Sequence, residues 1–184
     1  MHTLRRPIVA VIGSGDSVGP EVLAVAEAIG RGIAERGGIL VTGGRLGVME
    51  AASRGAHEAG GMVIGILPGL EPDDANAYVD IAIPTGLGFS LRNTITIRTA
   101  DAVIMLHGEV GTLAEAILAY QHGKPLVAVA PTGGWAQRLQ TTALDGGRYL
   151  DGRKLMEIAY ADDPETALDT AFARIGQVAR PDRI

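Results

Sequence analysis

The chain contains no cysteine. Disulfides, thiolate metal ligands and cysteine nucleophiles are therefore excluded. It also lacks an excess of positive charge: 16 lysines and arginines stand against 21 acidic residues, for a net charge of -5. That balance argues against a nucleic-acid surface, which needs bulk positive charge. It leaves room for a small anionic ligand, because a few backbone amides and one arginine outweigh a diffuse negative field locally. No apolar stretch reaches membrane-spanning length. The run Ile8–Ile12 after Arg5-Arg6 is too short for a signal-peptide core, so the expected compartment is the cytoplasm. The four histidines, His2, His57, His107 and His122, show no metal-ligand spacing, and no metal site is expected.

What is present is a regular alternation. The 184 residues are 47% hydrophobic, enough for one core in one domain, with a short flexible tail expected from about residue 180. Short β-branched runs (Ile8–Ile12, Ile39–Val41, Met62–Leu67, Val79–Ile83, Ala102–Leu106, Leu126–Ala130, Met156–Tyr160) read as strands. Between them, 20–35, 47–59, 89–99 and 112–121 read as helices, with Pro20 suited to a first turn. Residues 70–78 read as a loop. A further helix lies between Gly133-Gly134 and Gly146-Gly147, and a last one starts near Pro164. Such alternation predicts an α/β fold: a doubly wound, mostly parallel sheet with helices on both faces.

In such sheets ligands bind beyond the carboxyl ends of the strands. Three glycine clusters fall there, each between a strand and a helix: Gly13-Ser14-Gly15, Gly43-Gly44 with Gly47, and Gly108 with Gly111. Glycine permits a sharp turn and close approach of a ligand, and a helix start offers unpaired amides to an anion. Familiar nucleotide motifs fit badly. Val18 stands where a third glycine of Gly-x-Gly-x-x-Gly belongs, and Thr42-Gly43 supplies no acid for a ribose. Gly123-Lys124 is followed by Pro125 and is no P-loop.

The stretch Gly43-Gly44-Arg45-Leu46-Gly47-Val48-Met49-Glu50-Ala51 resembles the Gly-Gly-x-x-Gly-Val-Met-Glu-Ala signature of molybdenum cofactor carrier proteins. Ile64–Gly69, Ile83-Pro84-Thr85-Gly86 and Arg92-Asn93 are similar to the same family. Residues 100–115 resemble the Pro-Gly-Gly-x-Gly-Thr-x-x-Glu region of the related Lonely Guy phosphoribohydrolases, and the resemblance spans about Ile8 to Val129. It implies a Rossmann-like fold, a homodimer or homotetramer, and a phosphorylated small molecule as partner: molybdenum cofactor (molybdopterin) or a nucleoside monophosphate. The implied binding residues are Gly13, Ser14, Gly43, Gly44, Gly47, Met49, Thr85, Gly86, Arg92, Asn93, Gly108, Gly111, Thr112 and Glu115. In a hydrolase, Arg92 and Glu115 would be the catalytic pair; a carrier needs none.

Two departures matter. His107 replaces the usual proline, or the glycine of some carriers, and Glu109 replaces the second glycine. A carboxylate at that turn would repel a phosphate by about 1–4 kcal/mol at contact. Either Glu109 faces solvent or the ligand is held differently. Asn93 replaces the lysine common in the enzymes, so Arg92-Asn93 is closer to the carriers. Glu115 has a second reading: Thr112-Leu113-Ala114-Glu115 fits a capping box. His107 could touch the ligand or pack, and Trp135 could be a core anchor or a lid.

Overall fold

The computed structural model describes residues 5–15 and 18–176. The expected C-terminal tail lies outside them. Seven strands form one sheet: β1 (Ile8–Ile12), β2 (Ile39–Thr42), β3 (Met62–Leu67), β4 (Ile81–Pro84), β5 (Ala102–Leu106), β6 (Leu126–Val129) and β7 (Ala159–Ala161). Their order is β4-β3-β2-β1-β5-β6-β7, and every pairing is parallel. The helices are α1 (Pro20–Glu35), α2 (Val48–Glu58), α3 (Gly88–Thr99), α4 (Val110–Gln121), α5 (Gly134–Thr142), the single turn α6 (Leu144–Gly147) and α7 (Pro164–Arg174). This is the expected doubly wound, Rossmann-like α/β architecture.

The central strands β1, β2, β5 and β6 are buried on both faces, which is why they read as unbroken apolar runs. Their side chains still alternate. Val9 and Val11 of β1 join Ala102, Ile104 and Leu106 of β5 beneath α1, α2 and α7. Ala10 and Ile12 join Val103 and Met105 beneath α3, α4 and α5. On the first face the backbones of α1 and α2 meet almost directly. A Cβ on Gly30 would collide with the Ala52 carbonyl, and one on Gly55 with the Glu27 carbonyl. That contact fixes where α2 begins, and hence where its first turn stands at the sheet edge.

Two strand boundaries differ from the sequence reading. β4 begins at Ile81, not Val79, because Asp80 accepts the Val63 amide through its carboxylate at 2.8 Å and Val79 packs over Gly65. β7 runs Ala159–Ala161 instead of 156–160, since the Ile158 amide donates to the Arg148 carbonyl at 2.9 Å rather than to the sheet. The loop 70–78 contains a short 3-10 turn at Pro72–Asp74. Among the described residues no helix is long and apolar enough to cross a membrane.

Candidate functional site

The chain runs outward from β1 through β2 and β3 to β4, then returns to β5 beside β1. Such a reversal leaves a crevice where successive loops diverge. A cleft of about 480 Å³ opens there. The β1–α1 loop contributes Gly13, Ser14 and Gly15, and the segment from β2 into α2 contributes Arg45, Leu46 and Met49. Phe89, Arg92 and Asn93 come from α3; Glu109, Gly111, Thr112 and Glu115 come from the start of α4.

Of the residues expected at the site, Gly13, Ser14, Met49, Arg92, Asn93, Gly111, Thr112 and Glu115 are brought together on this cleft. The others do not line it. A Cβ on Gly43 would take the place of Arg92 Nη1, so this glycine makes room for the guanidinium. Gly44 packs on Gly65 and Leu67, and its amide donates to Thr42 Oγ1 at 3.0 Å. Gly47 precedes α2 at φ +67°, and the first amide of that helix is taken by the Ser14 carbonyl. Gly108, at φ +89°, lies against Thr112. Thr85 Oγ1 donates to the Leu67 carbonyl at 2.8 Å, and Gly86 faces Leu70. Gly111 is different: nothing lies within 4 Å of where its Cβ would be.

The capping box does not form. Helix α4 begins at Val110, with Glu109 in the N-cap position and no side chain closing the helix end. Gly108 turns the chain early enough that Thr112 and Glu115 already lie inside the helix. Both side chains are buried and line the cleft, while the first-turn amides have no intrahelical acceptor. Glu109 is exposed on the rim of the same cleft, so it faces solvent without leaving the site.

Arg92 is the dominant feature. Its residue is only 5% exposed, yet among the described residues Nε and Nη1 are buried without any acceptor. Burial pushes its pKa below the ordinary arginine value; Glu115 pulls it back up, and Arg45 lowers it further. Glu115 is also buried, and desolvation pushes its pKa up to about 7 against the pull of Arg92. Beside them Asn93 Oδ1 is buried without a donor. The floor therefore offers a cation with spare N–H groups, a spare acceptor and a carboxyl group that titrates near neutrality.

Five cleft residues lay outside the expected binding set: Gly15 and Glu109, which flank its glycine turns, and Arg45, Leu46 and Phe89. The guanidinium carbons of Arg45 and Arg92 both stand 5.8 Å from the centre of the Phe89 ring. In the sequence Arg45 and Leu46 occupy the variable places of the glycine signature, and Phe89 is a lone aromatic at a helix start, so only the fold brings them together. His107 and Trp135 are not cleft residues. His107 holds a left-handed backbone (φ +48°) with Nδ1 buried and unpartnered. Trp135 lies half-buried against the core on the α4–α5 side, so it is not a lid.

A parallel sheet with a cleft at its strand-order reversal defines a Rossmann-like α/β protein. The chain belongs to the SLOG cluster4 family, of the Lonely Guy-like superfamily, whose family model matches residues 6–167. It is similar to the molybdenum cofactor binding protein of Rippkaea orientalis: 35% identity, TM-score 0.80, covering 94% of this chain and 99% of that one. The molybdenum cofactor carrier protein of Chlamydomonas reinhardtii is 36% identical with TM-score 0.75, over 93% of this chain and 98% of its own. An uncharacterised protein of Archaeoglobus fulgidus is 39% identical over 123 residues, covering 67% of this chain and 80% of its own. The motif resemblance thus holds across the fold.

Proposed function

We propose that the protein is a carrier that binds molybdenum cofactor, or a nucleotide of similar size, by its phosphate, and does not convert it. The observation that supports this most strongly is Arg92, whose buried Nε and Nη1 lack acceptors. Leaving such donors unsatisfied costs about 1–3 kcal/mol each, and an oxyanion supplies the missing acceptors. The uncapped start of α4 adds amides and the positive end of a helix dipole. Asn93 Oδ1 suits a donor elsewhere on the ligand, such as a hydroxyl or ring N–H. The cleft volume, about 480 Å³, falls in the range of small-molecule sites. The solved relatives from Rippkaea orientalis and Chlamydomonas reinhardtii bear the names of molybdenum cofactor proteins. A homo-oligomer belongs to the same reading, supported by the exposed Ile81, Ile83, Leu87 and Leu91 along β4 and early α3.

N-glycosidic hydrolysis is the second reading, favoured by the meeting of Arg92 and Glu115 on one cleft. Against it, a carboxyl group with its pKa near 7 is only partly charged at neutral pH and poorly stabilises a cation at an anomeric carbon. Protein purified from cells that make the cofactor should yield an oxidised, fluorescent pterin. A panel of nucleoside monophosphates should give no free base. Absence of both a pterin and any bound nucleotide phosphate would contradict the carrier reading. Base release abolished by Glu115→Ala would establish the hydrolase instead.

A further inference from the structure

The loop that carries Arg45 is held rigidly for an exposed segment. Asn76, buried under it, donates from Nδ2 to the Arg45 carbonyl and from its backbone amide to the Gly44 carbonyl, both at 2.8 Å. Its Oδ1 accepts the Tyr78 amide at 3.1 Å. Buried polar side chains are costly unless fully satisfied, and this one is spent on fixing the backbone from which Arg45 projects. At the other side of the corner, Phe89 offers one ring to two guanidiniums, Arg45 from the rim and Arg92 from the floor.

Six arginines elsewhere on the molecule pair with carboxylates, while Arg6 and Arg174 donate to backbone carbonyls and Arg138 lies over the Trp135 ring. Arg5, Arg31, Arg36, Arg54, Arg148 and Arg153 each have an acidic partner within 4.0 Å. Among the described residues Arg45 and Arg92 have no such partner, although Glu109 and Glu115 line the same cleft. Two like charges gathered at one aromatic ring repel unless an anion lies between them. One anionic group at the floor answers the buried Arg92, and a second group linked to it would reach Arg45 at the mouth.

We propose that Arg45 and Arg92 together bind a ligand with two linked anionic groups, a diphosphate or a phosphate with a second anion on the same molecule. This rests on the anion-binding reading of the cleft and narrows its ligand class. Arg92 takes the inner group, Arg45 the outer one, and Phe89 holds both guanidiniums in line. Arg45 is thus the residue that sets specificity for ligands longer than a monophosphate.

The test is calorimetric titration of the full chain with inorganic phosphate and with inorganic diphosphate at fixed salt. Wild type should bind diphosphate roughly tenfold or more tightly than phosphate, the worth of one added charge-assisted contact. Arg45→Gln should keep its phosphate affinity within about threefold while losing the diphosphate preference. Arg98→Gln, which removes an exposed charge remote from the cleft, should leave the preference intact and so controls for the diffuse field. A wild type without the preference, or a preference that survives Arg45→Gln or falls equally in Arg98→Gln, would overturn the inference. A protein that binds neither anion would instead contradict the anion-binding reading beneath it.

Discussion

Arg92→Met is expected to weaken oxyanion binding by at least about 100-fold while making the protein more stable. Two charge-assisted hydrogen bonds from Nε and Nη1, at roughly 1.5–3 kcal/mol each, account for the loss of binding. The gain in stability follows from the same atoms. Without ligand they are buried and unpartnered, and methionine fills much of the volume with no polar demand. A net gain of about 1–3 kcal/mol would raise the melting temperature by roughly 2–4 °C per kcal/mol in a chain of this size. Melting is best followed at about pH 6, where Glu115 is mostly protonated and its attraction to Arg92 contributes little. A variant that binds as wild type, or one that is markedly less stable, would show that Arg92 serves the fold and not a ligand.

The second large effect concerns pH. Glu115 has a folded-state pKa raised to about 7 from an ordinary value of 4.5, chiefly by burial. The fold therefore holds the proton more tightly than the unfolded chain does. The stability this group contributes is fully present below about pH 4.5 and is lost as pH rises through about 7, a decline of up to roughly 3 kcal/mol. Binding should follow the same course, since the carboxylate that appears above pH 7 faces the bound anion. At cleft distances that repulsion is on the order of 1–3 kcal/mol. Sulfate, whose charge is constant in this range, should bind about five- to 150-fold more weakly at about pH 9 than at about pH 5. Glu115→Gln should remove most of that dependence and stabilise the protein above neutrality. If the variant keeps the wild-type pH profile, Glu115 is not the group responsible.

Much of the architecture could be read in advance because strand and helix periods differ so sharply here. Strands β1 to β3 are short β-branched runs closed at once by glycine or proline, and the alternation leaves little choice but a parallel sheet. The misplaced boundaries of β4 and β7 share a cause. At Asp80 a side-chain carboxylate replaces the backbone acceptor for the Val63 amide of β3, and at Ile158 the backbone amide leaves the sheet for the Arg148 carbonyl; each takes a residue that composition had assigned to the strand out of the regular ladder.

The candidate site was legible through its motifs, but their physical meaning differed. Gly43 and Gly108 looked like cradles for a ligand; in the fold they let Arg92 and Thr112 close onto the backbone. Gly111, by contrast, leaves open space. Thr112 and Glu115 matched a capping box at the right spacing, yet spacing alone did not reveal that Gly108 starts the helix earlier and turns both side chains inward. Arg45, Leu46 and Phe89 gave no signal, because exposed positions on separate loops share no periodicity. Their proximity is a tertiary fact.

The most direct test of the account is where an oxyanion sits. Crystals of the protein soaked with tungstate should show an anomalous peak within hydrogen-bonding distance of Arg92 Nε or Nη1, facing the first turn of α4. A peak only elsewhere on the surface, or none while the Arg92 nitrogens still lack acceptors, would contradict it.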